Sequence, residues 1–216
     1  MTFTEYVQSR SDELVRAFGQ HALVVAVSMA IATVIGVGIG MLTWRRPRLS
    51  GLAIGTASGF LTIPSFALLG LLIPVLGLVW TPTVFALTLY SLLPIIRNTV
   101  VGLRGVDPAI VEAGRGMGMS AFRVLWRLQM PLAWPLVITG IRVSTQMIIG
   151  IAAIASYVAG PGLGDQILDG LSRLGSANSI NEALAGTLGV VILALLCDLF
   201  FLVVRRLTSS RGLRVR

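Results

Sequence analysis

Chemistry needs groups that move protons, electrons or charge, and this sequence offers few of them. It has one His, one Cys and no Lys, so all 17 of its Lys+Arg residues are Arg. His21 falls at the edge of an apolar stretch with no second ligand near it, and reads as interfacial rather than metal-binding. Cys197 lies in an apolar run; alone, it forms no intrachain disulfide, and packing is its default role. No nucleophile–His–acid set can be assembled. No Gly-x-x-x-x-Gly-Lys-Ser/Thr loop is present to cradle a phosphate. The chain is therefore not expected to be an enzyme, to hydrolyse ATP, or to carry a metal or cofactor of its own.

Two charges do enter apolar surroundings, Arg142 and Asp198. Charge at membrane depth is costly and usually pairs or lines water, so the two are expected to interact within a helical bundle. The competing reading leaves Asp198 at an interface and lets Arg142 snorkel. A second group, Thr62, Pro64, Ser65, Tyr90, Pro94, Asn98 and Gln146, sets polar side chains and prolines into apolar stretches. These are the candidates for lining a solute path. Pro64 should break or kink its helix, and irregular backbone is tolerated at membrane depth only inside protein or along a cavity. A plain proline kink is the alternative there, and packing is the commoner role for Tyr90.

The elements that hold these residues follow from composition. The 216 residues are 55% hydrophobic and 12% charged, which suits an all-α polytopic membrane protein and not a soluble domain. The net charge of +8 would suggest nucleic acid in a soluble protein, but no basic patch interleaved with aromatics accompanies it. Five spans are expected, at about 21–43, 51–73, 83–97, 132–155 and 183–204, each judged against a hydrocarbon core of about 30 Å. Residues 1–20 form an extracytoplasmic segment, 98–131 a long loop, 156–181 an outer loop with room for a short helix, and 206–216 a basic tail; 21–205 is the membrane domain. Gly36 and Gly40 could admit a neighbouring helix, and Gly51, Gly55 and Gly59 form a stronger packing repeat. Arginines gather after the first span, in the 98–131 region and in the tail. The positive-inside rule then puts the N-terminus outside and the C-terminus in the cytoplasm.

The stretch 107–131 is a polar, arginine-bearing island. Asp107 can cap a short helix over 108–113 that starts on Pro108. Gly114, Gly116 and Gly118 should end it. Ser120 can cap a second helix that stops before Pro131, with Phe122, Leu125, Trp126 and Gln129 on one face. By residue type alone this suits insertion into a partner's groove or an ordinary cytoplasmic loop.

The spacing Glu112-Ala113-Gly114, then Gly118, then Leu128-Gln129-Met130-Pro131 resembles the EAA loop of ABC importer permeases. That loop reads E-A-A, three residues, G, nine residues, I-x-L-P. The departures are Gly114 for the second Ala, Leu128 for Ile and Met130 for Leu. The likeness extends through Thr62-Ile63-Pro64-Ser65, Tyr90 to Thr99, Gly140-Ile141-Arg142 and Gly162-Leu163-Gly164-Asp165. It covers about residues 22–205 and is similar to permeases of the glycine betaine/choline importer family.

That resemblance implies a type I ABC importer permease fold, with a coupling helix in the 98–131 loop docked on an ATPase. It implies two ATPase subunits that bind ATP and Mg, a second permease copy or paralogue, and a separate extracytoplasmic solute-binding protein. The protein would sit in a bacterial cell membrane and pass glycine betaine, choline, carnitine or proline betaine. Coupling would fall to Glu112, Ala113, Gly114, Gly118, Leu128, Met130 and Pro131, and Tyr90 would offer its ring to a quaternary ammonium. A methionine-type importer permease is the alternative. A secondary transporter or channel would need midplane carboxylates or a repeated half, and neither is evident.

Overall fold

A computed structural model describes residues 1–77, 80–158 and 162–208, and every regular element among them is helical. Residues 78–79, residues 159–161 of the expected outer loop, and 209–216 of the basic tail lie outside the described residues. Among the described residues four helical runs are long and apolar enough to cross a membrane, or five if one bent pair is counted as a single span.

Helix α1 (Phe3–Ser9) opens on a capping box, Thr2 with Glu5, and α2 (Ser11–Thr43) follows almost at once. The N-terminal segment is thus helical, and α2 begins well before residue 21. The expected second span is two helices. Helix α3 (Pro47–Thr62) and α4 (Ser65–Leu76) meet at 94°, and the break falls at Ile63-Pro64. Proline has no amide to donate and pushes the preceding residue to extended backbone; Ile63 sits at φ −77°, ψ 125°.

Helix α5 (Trp80–Arg104) is the hub. Ala86, Leu87, Tyr90, Ile95, Ile96 and Val100 pack into one core with Val24, Val25, Met29 and Ala32 of α2 and with Ile148, Ile149 and Ala152 further along the chain. Lipid tails are as apolar as leucine, so such helices are held by close packing rather than by exclusion of water. Gly36 and Gly40 supply it: a Cβ on Gly36 would lie 2.8 Å from Ile95, and one on Gly40 2.6 Å from Thr99. The repeat Gly51, Gly55, Gly59 does the opposite of what its spacing suggests. Beyond its own helix, no atom of the described residues lies within 4 Å of a Cβ built on any of the three, so the repeat packs against nothing among the described residues.

Past Arg104 come α6 (Pro108–Gly116), α7 (Ala121–Val124), a π-helical turn (Leu125–Gln129) and α8 (Met130–Val158). The second helix therefore does not stop before Pro131. The Met130 amide reaches back to the Leu125 carbonyl, five residues away. This wider turn moves aside the carbonyl that a proline ring would strike, so the chain runs as one helix over Ala121–Ser156. Helix α9 (Gly164–Ser172) lies in the outer loop, and α10 (Ser179–Thr208) closes the order. Almost none of the apolar window of α10 is buried.

Candidate functional site

The loop between α5 and α8 is built around Gly114. Asp107 caps α6, its Oδ1 accepting the Ala109 amide at 2.9 Å. The helix runs through Gly114 and ends on Gly116, with Met117 as its C-cap. Gly118, just past that cap, turns the chain away with a φ of +79°, in the left-handed region. The Met119 amide then donates to the Gly114 carbonyl at 3.1 Å. A Cβ on Gly114 would come within 2.6 Å of Leu128 Cδ1. The γ-branch of Leu128 thus fills the space a bare glycine leaves, and α6 is seated on the π turn.

The remaining loop residues divide into a seated set and a presented set. Gly114, Gln129 and Met130 are buried and Leu128 is half-buried; Glu112, Ala113, Gly118 and Pro131 are exposed. Glu112 makes no hydrogen bond or ion pair with the described residues, so it does not pair within the loop. Apart from its chain neighbours, nothing among the described residues lies within 4 Å of a Cβ built on Gly118. The face shared by Phe122, Leu125, Trp126 and Gln129 is open in part: Gln129 is buried, but Phe122 is 71% and Trp126 48% exposed, and their rings lie 6.1 Å apart. The result is a short helix, rigidly mounted on a membrane-crossing rod, that shows a carboxylate, small residues and two aromatic rings to the outside.

The path candidates are only partly brought together. The Tyr90 hydroxyl donates to the Ile63 carbonyl at 2.9 Å, at the break between α3 and α4. Its ring is 2% exposed, so Tyr90 holds the break and offers no open aromatic face here. Thr62 and Pro64 are exposed beside it, and Ser65 is half-buried. Pro94 and Asn98 lie further along α5, where the Asn98 side chain donates to the Pro94 carbonyl at 2.8 Å. Helix α8 crosses there through Gly140, where a Cβ would stand 2.7 Å from the Pro94 oxygen. Gln146 stands apart, donating to the Ala194 carbonyl of α10 at 3.0 Å.

Arg142 and Asp198 meet. The guanidinium donates to both carboxylate oxygens, Nε to Oδ1 at 2.7 Å and Nη2 to Oδ2 at 2.8 Å. This two-point geometry is the strong form of the ion pair. With Gln146 it ties the sparsely packed α10 to α8.

Two anchors were not legible as such in the sequence. His21 is buried, not interfacial. Its Nδ1 accepts the Leu163 amide at 3.3 Å, which leaves Nε2 to donate to the Ile149 carbonyl at 3.1 Å. Gly162 makes room for it, since a Cβ there would lie 2.8 Å from Nδ1. Arg104 donates from Nε to the Trp44 carbonyl at 2.8 Å and from Nη2 to Ser50 Oγ at 2.7 Å, pinning the α2–α3 turn. On the opposite side, in α9, partial burial and then Asp169 push the Asp165 carboxyl up to about 6; the exposed part of the side chain lets solvent temper that shift.

Comparison with known proteins gives a consistent result. The family of binding-protein-dependent transport system inner membrane components matches residues 32–211. The glycine betaine/carnitine/choline transport system permease protein OpuCB of Bacillus subtilis (strain 168) is 34% identical over 209 residues, 97% of this chain and 94% of that protein. The osmoprotectant import permease protein OsmW of Salmonella typhimurium is 36% identical over 219 residues, 99% of this chain and 100% of that protein. The carnitine transport permease protein OpuCD of Listeria monocytogenes is 37% identical over 194 residues, 90% and 86% of the two. Among solved structures, a chain of the inward-facing MetNI methionine ABC transporter superposes with a TM-score of 0.78 at 22% identity, covering 91% of this chain and 96% of that one. At that identity the likeness speaks to the fold alone.

Proposed function

This chain belongs to the family of binding-protein-dependent transport system inner membrane components, and from that premise we propose which solute it passes and how it is coupled. As a member it is a multi-pass permease subunit of a bacterial ABC importer; the ATPase of such systems is a separate subunit, so hydrolysis is not this chain's task. The solute is a small quaternary ammonium osmoprotectant of the glycine betaine, choline or carnitine kind. The observation that carries this is the end-to-end likeness to permeases named for those solutes.

In this reading five spans cross the membrane, α3 and α4 counting as one broken span, with the N-terminus outside and the C-terminus in the cytoplasm. Arginine placement supports it. Two permeases, identical or paralogous, enclose the path; two ATPase subunits bind ATP and Mg below them, and a solute-binding protein delivers from outside. Helix α6 is the coupling helix. Glu112, Ala113 and Gly118 face the ATPase, while Gly114, Leu128, Met130 and Pro131 fix α6 to α8. Its exposed face and its seat at Gly114 support that role. The α3–α4 break, with Thr62, Pro64 and Ser65, borders the path, and Pro94 and Asn98 lie along it. Tyr90 and Gln146 position helices.

The test is uptake into proteoliposomes holding permease, ATPase and binding protein, with labelled glycine betaine, choline, carnitine and methionine. ATP-dependent uptake of a quaternary amine, lost in Gly118→Asp with the complex assembled, is expected. Uptake of methionine alone would move the chain to the methionine type. Uptake without ATP would remove the importer reading.

A further inference from the structure

The N-terminal half of α3 carries a feature that lies outside the proposed path and coupling loop. An apolar groove of about 430 Å³ runs between α2, α3 and α5, lined by Ile39, Leu52, Ala53, Thr56, Phe60 and Leu92 among others. Its lining follows α3 from Leu49 to Phe60, about 16 Å at 1.5 Å per residue. The residues just before Leu49 are Arg45, Arg46 and Arg48. Arg45 lies over the Trp44 ring, 4.9 Å from its centroid, and Arg104 locks the turn through Trp44 and Ser50. Arg46 and Arg48 are exposed, and no carboxylate pairs with either among the described residues. The neighbouring inner segments hold only Asp107, which caps α6, and Glu112.

We propose that this groove binds an anionic phospholipid, with the phosphate headgroup at Arg46 and Arg48 and an acyl chain along α3. The match is of charge and polarity at once: an apolar trough runs up to exposed arginines that have no carboxylate partner among the described residues, beside Trp44. A second copy of this chain is the less suitable occupant, because it would bring the same arginines against these. The leaflet assigned, the inner one, rests on the orientation proposed above.

The assembled importer, purified with its ATPase, would be placed in nanodiscs of equal phosphatidylglycerol and phosphatidylcholine. Lipid retained on transfer to detergent would then be counted by native mass spectrometry. Phosphatidylglycerol should be retained over phosphatidylcholine. Arg46→Gln/Arg48→Gln should lower its retention on the order of tenfold, while Arg10→Gln/Arg173→Gln should not. Ala53→Trp, which fills the groove and leaves the charge alone, should lower it too. Equal retention of the two lipids, or retention indifferent to Arg46→Gln/Arg48→Gln, would overturn the proposal. So would a disulfide between copies carrying Thr56→Cys in a Cys197→Ser background, because a second permease would then occupy the groove. Both leaflets of a disc are alike, so retention does not depend on orientation. Labelling of Arg48→Cys from outside intact cells would instead strike the orientation and leave the lipid result standing.

Discussion

Removing one partner of the Arg142–Asp198 pair should cost far more than removing both. The pair joins α8 to a helix that has little else to hold its C-terminal half: of the apolar residues there, Leu195, Leu196, Leu199, Phe200 and Leu207 are all exposed. Two charge-assisted hydrogen bonds at 2.7 and 2.8 Å are each worth about 1.5–3 kcal/mol where desolvated. An orphaned Arg or Asp at a helix centre costs about 2.5–3.5 kcal/mol in the membrane. The side chains are 31% and 34% exposed, so relaxation and water recover part of this. Arg142→Ala or Asp198→Ala should therefore lose about 2–4 kcal/mol. Arg142→Met/Asp198→Leu, which leaves no charge behind, should fall within about 1 kcal/mol of the parent. The assay is the folded fraction in bicelles titrated with sodium dodecyl sulfate, where about 1.4 kcal/mol is a tenfold change in the equilibrium. If the double variant fell as far as the worse single one, the pair would not be the cause.

Four further outcomes follow from particular contacts. Gly118→Ala must hold an alanine at φ +79° and Gly118→Asn an asparagine, which tolerates that region. If only backbone matters, Asn should transport like the parent; loss in both, with the complex assembled, would mean the ATPase approaches this position. His21→Phe leaves the Leu163 amide without an acceptor and should cost about 1–3 kcal/mol, read as faster hydrogen exchange over 162–168. Because the Asp165 carboxyl is raised to about 6 from 3.8, its stabilising contribution is full below 3.8 and lost as pH rises through 6. Protection factors in α9, taken against the intrinsic exchange rate at each pH, should therefore be higher at pH 5 than at pH 7, and Asp165→Asn should abolish the difference. Gly140→Ala should push α8 off α5, since the added carbon meets backbone and not a mobile side-chain tip; unchanged thermal stability and transport would count against the tight crossing.

Local rules carried the reading where the partner did not matter. Pro64 breaks its helix for reasons contained in two residues, and Asp107 caps α6 because Pro108 follows it. Glycine spacing was a poorer guide, because Gly36 and Gly40 find Ile95 and Thr99 while the longer repeat from Gly51 finds nothing. Spacing makes a smooth face but does not say what lies opposite. His21 looked interfacial because its neighbours in sequence are; its site is made by Ile149, Gly162 and Leu163, more than a hundred residues on. Pro131 looked like a stop because the usual proline rule assumes an α-helical turn before it, and the wider turn at Leu125 removes that premise.

The same wide turn has a mechanical meaning. It joins the seat of α6 to the membrane crossing without a hinge, giving a single strut of 36 residues over Ala121–Ser156, about 54 Å long. Gly140, the tightest contact of that strut with α5, lies near its middle, about 28 Å from one end and 24 Å from the other. A strut gripped at its midpoint behaves as a lever with nearly equal arms. Under the proposed coupling, a push of a few ångströms at the α6 end would swing the far end by a similar amount the other way, so that one side would open as the other closes. Paired spin labels at the two ends should report opposite displacements on nucleotide binding; displacement in one direction would mean that the strut slides.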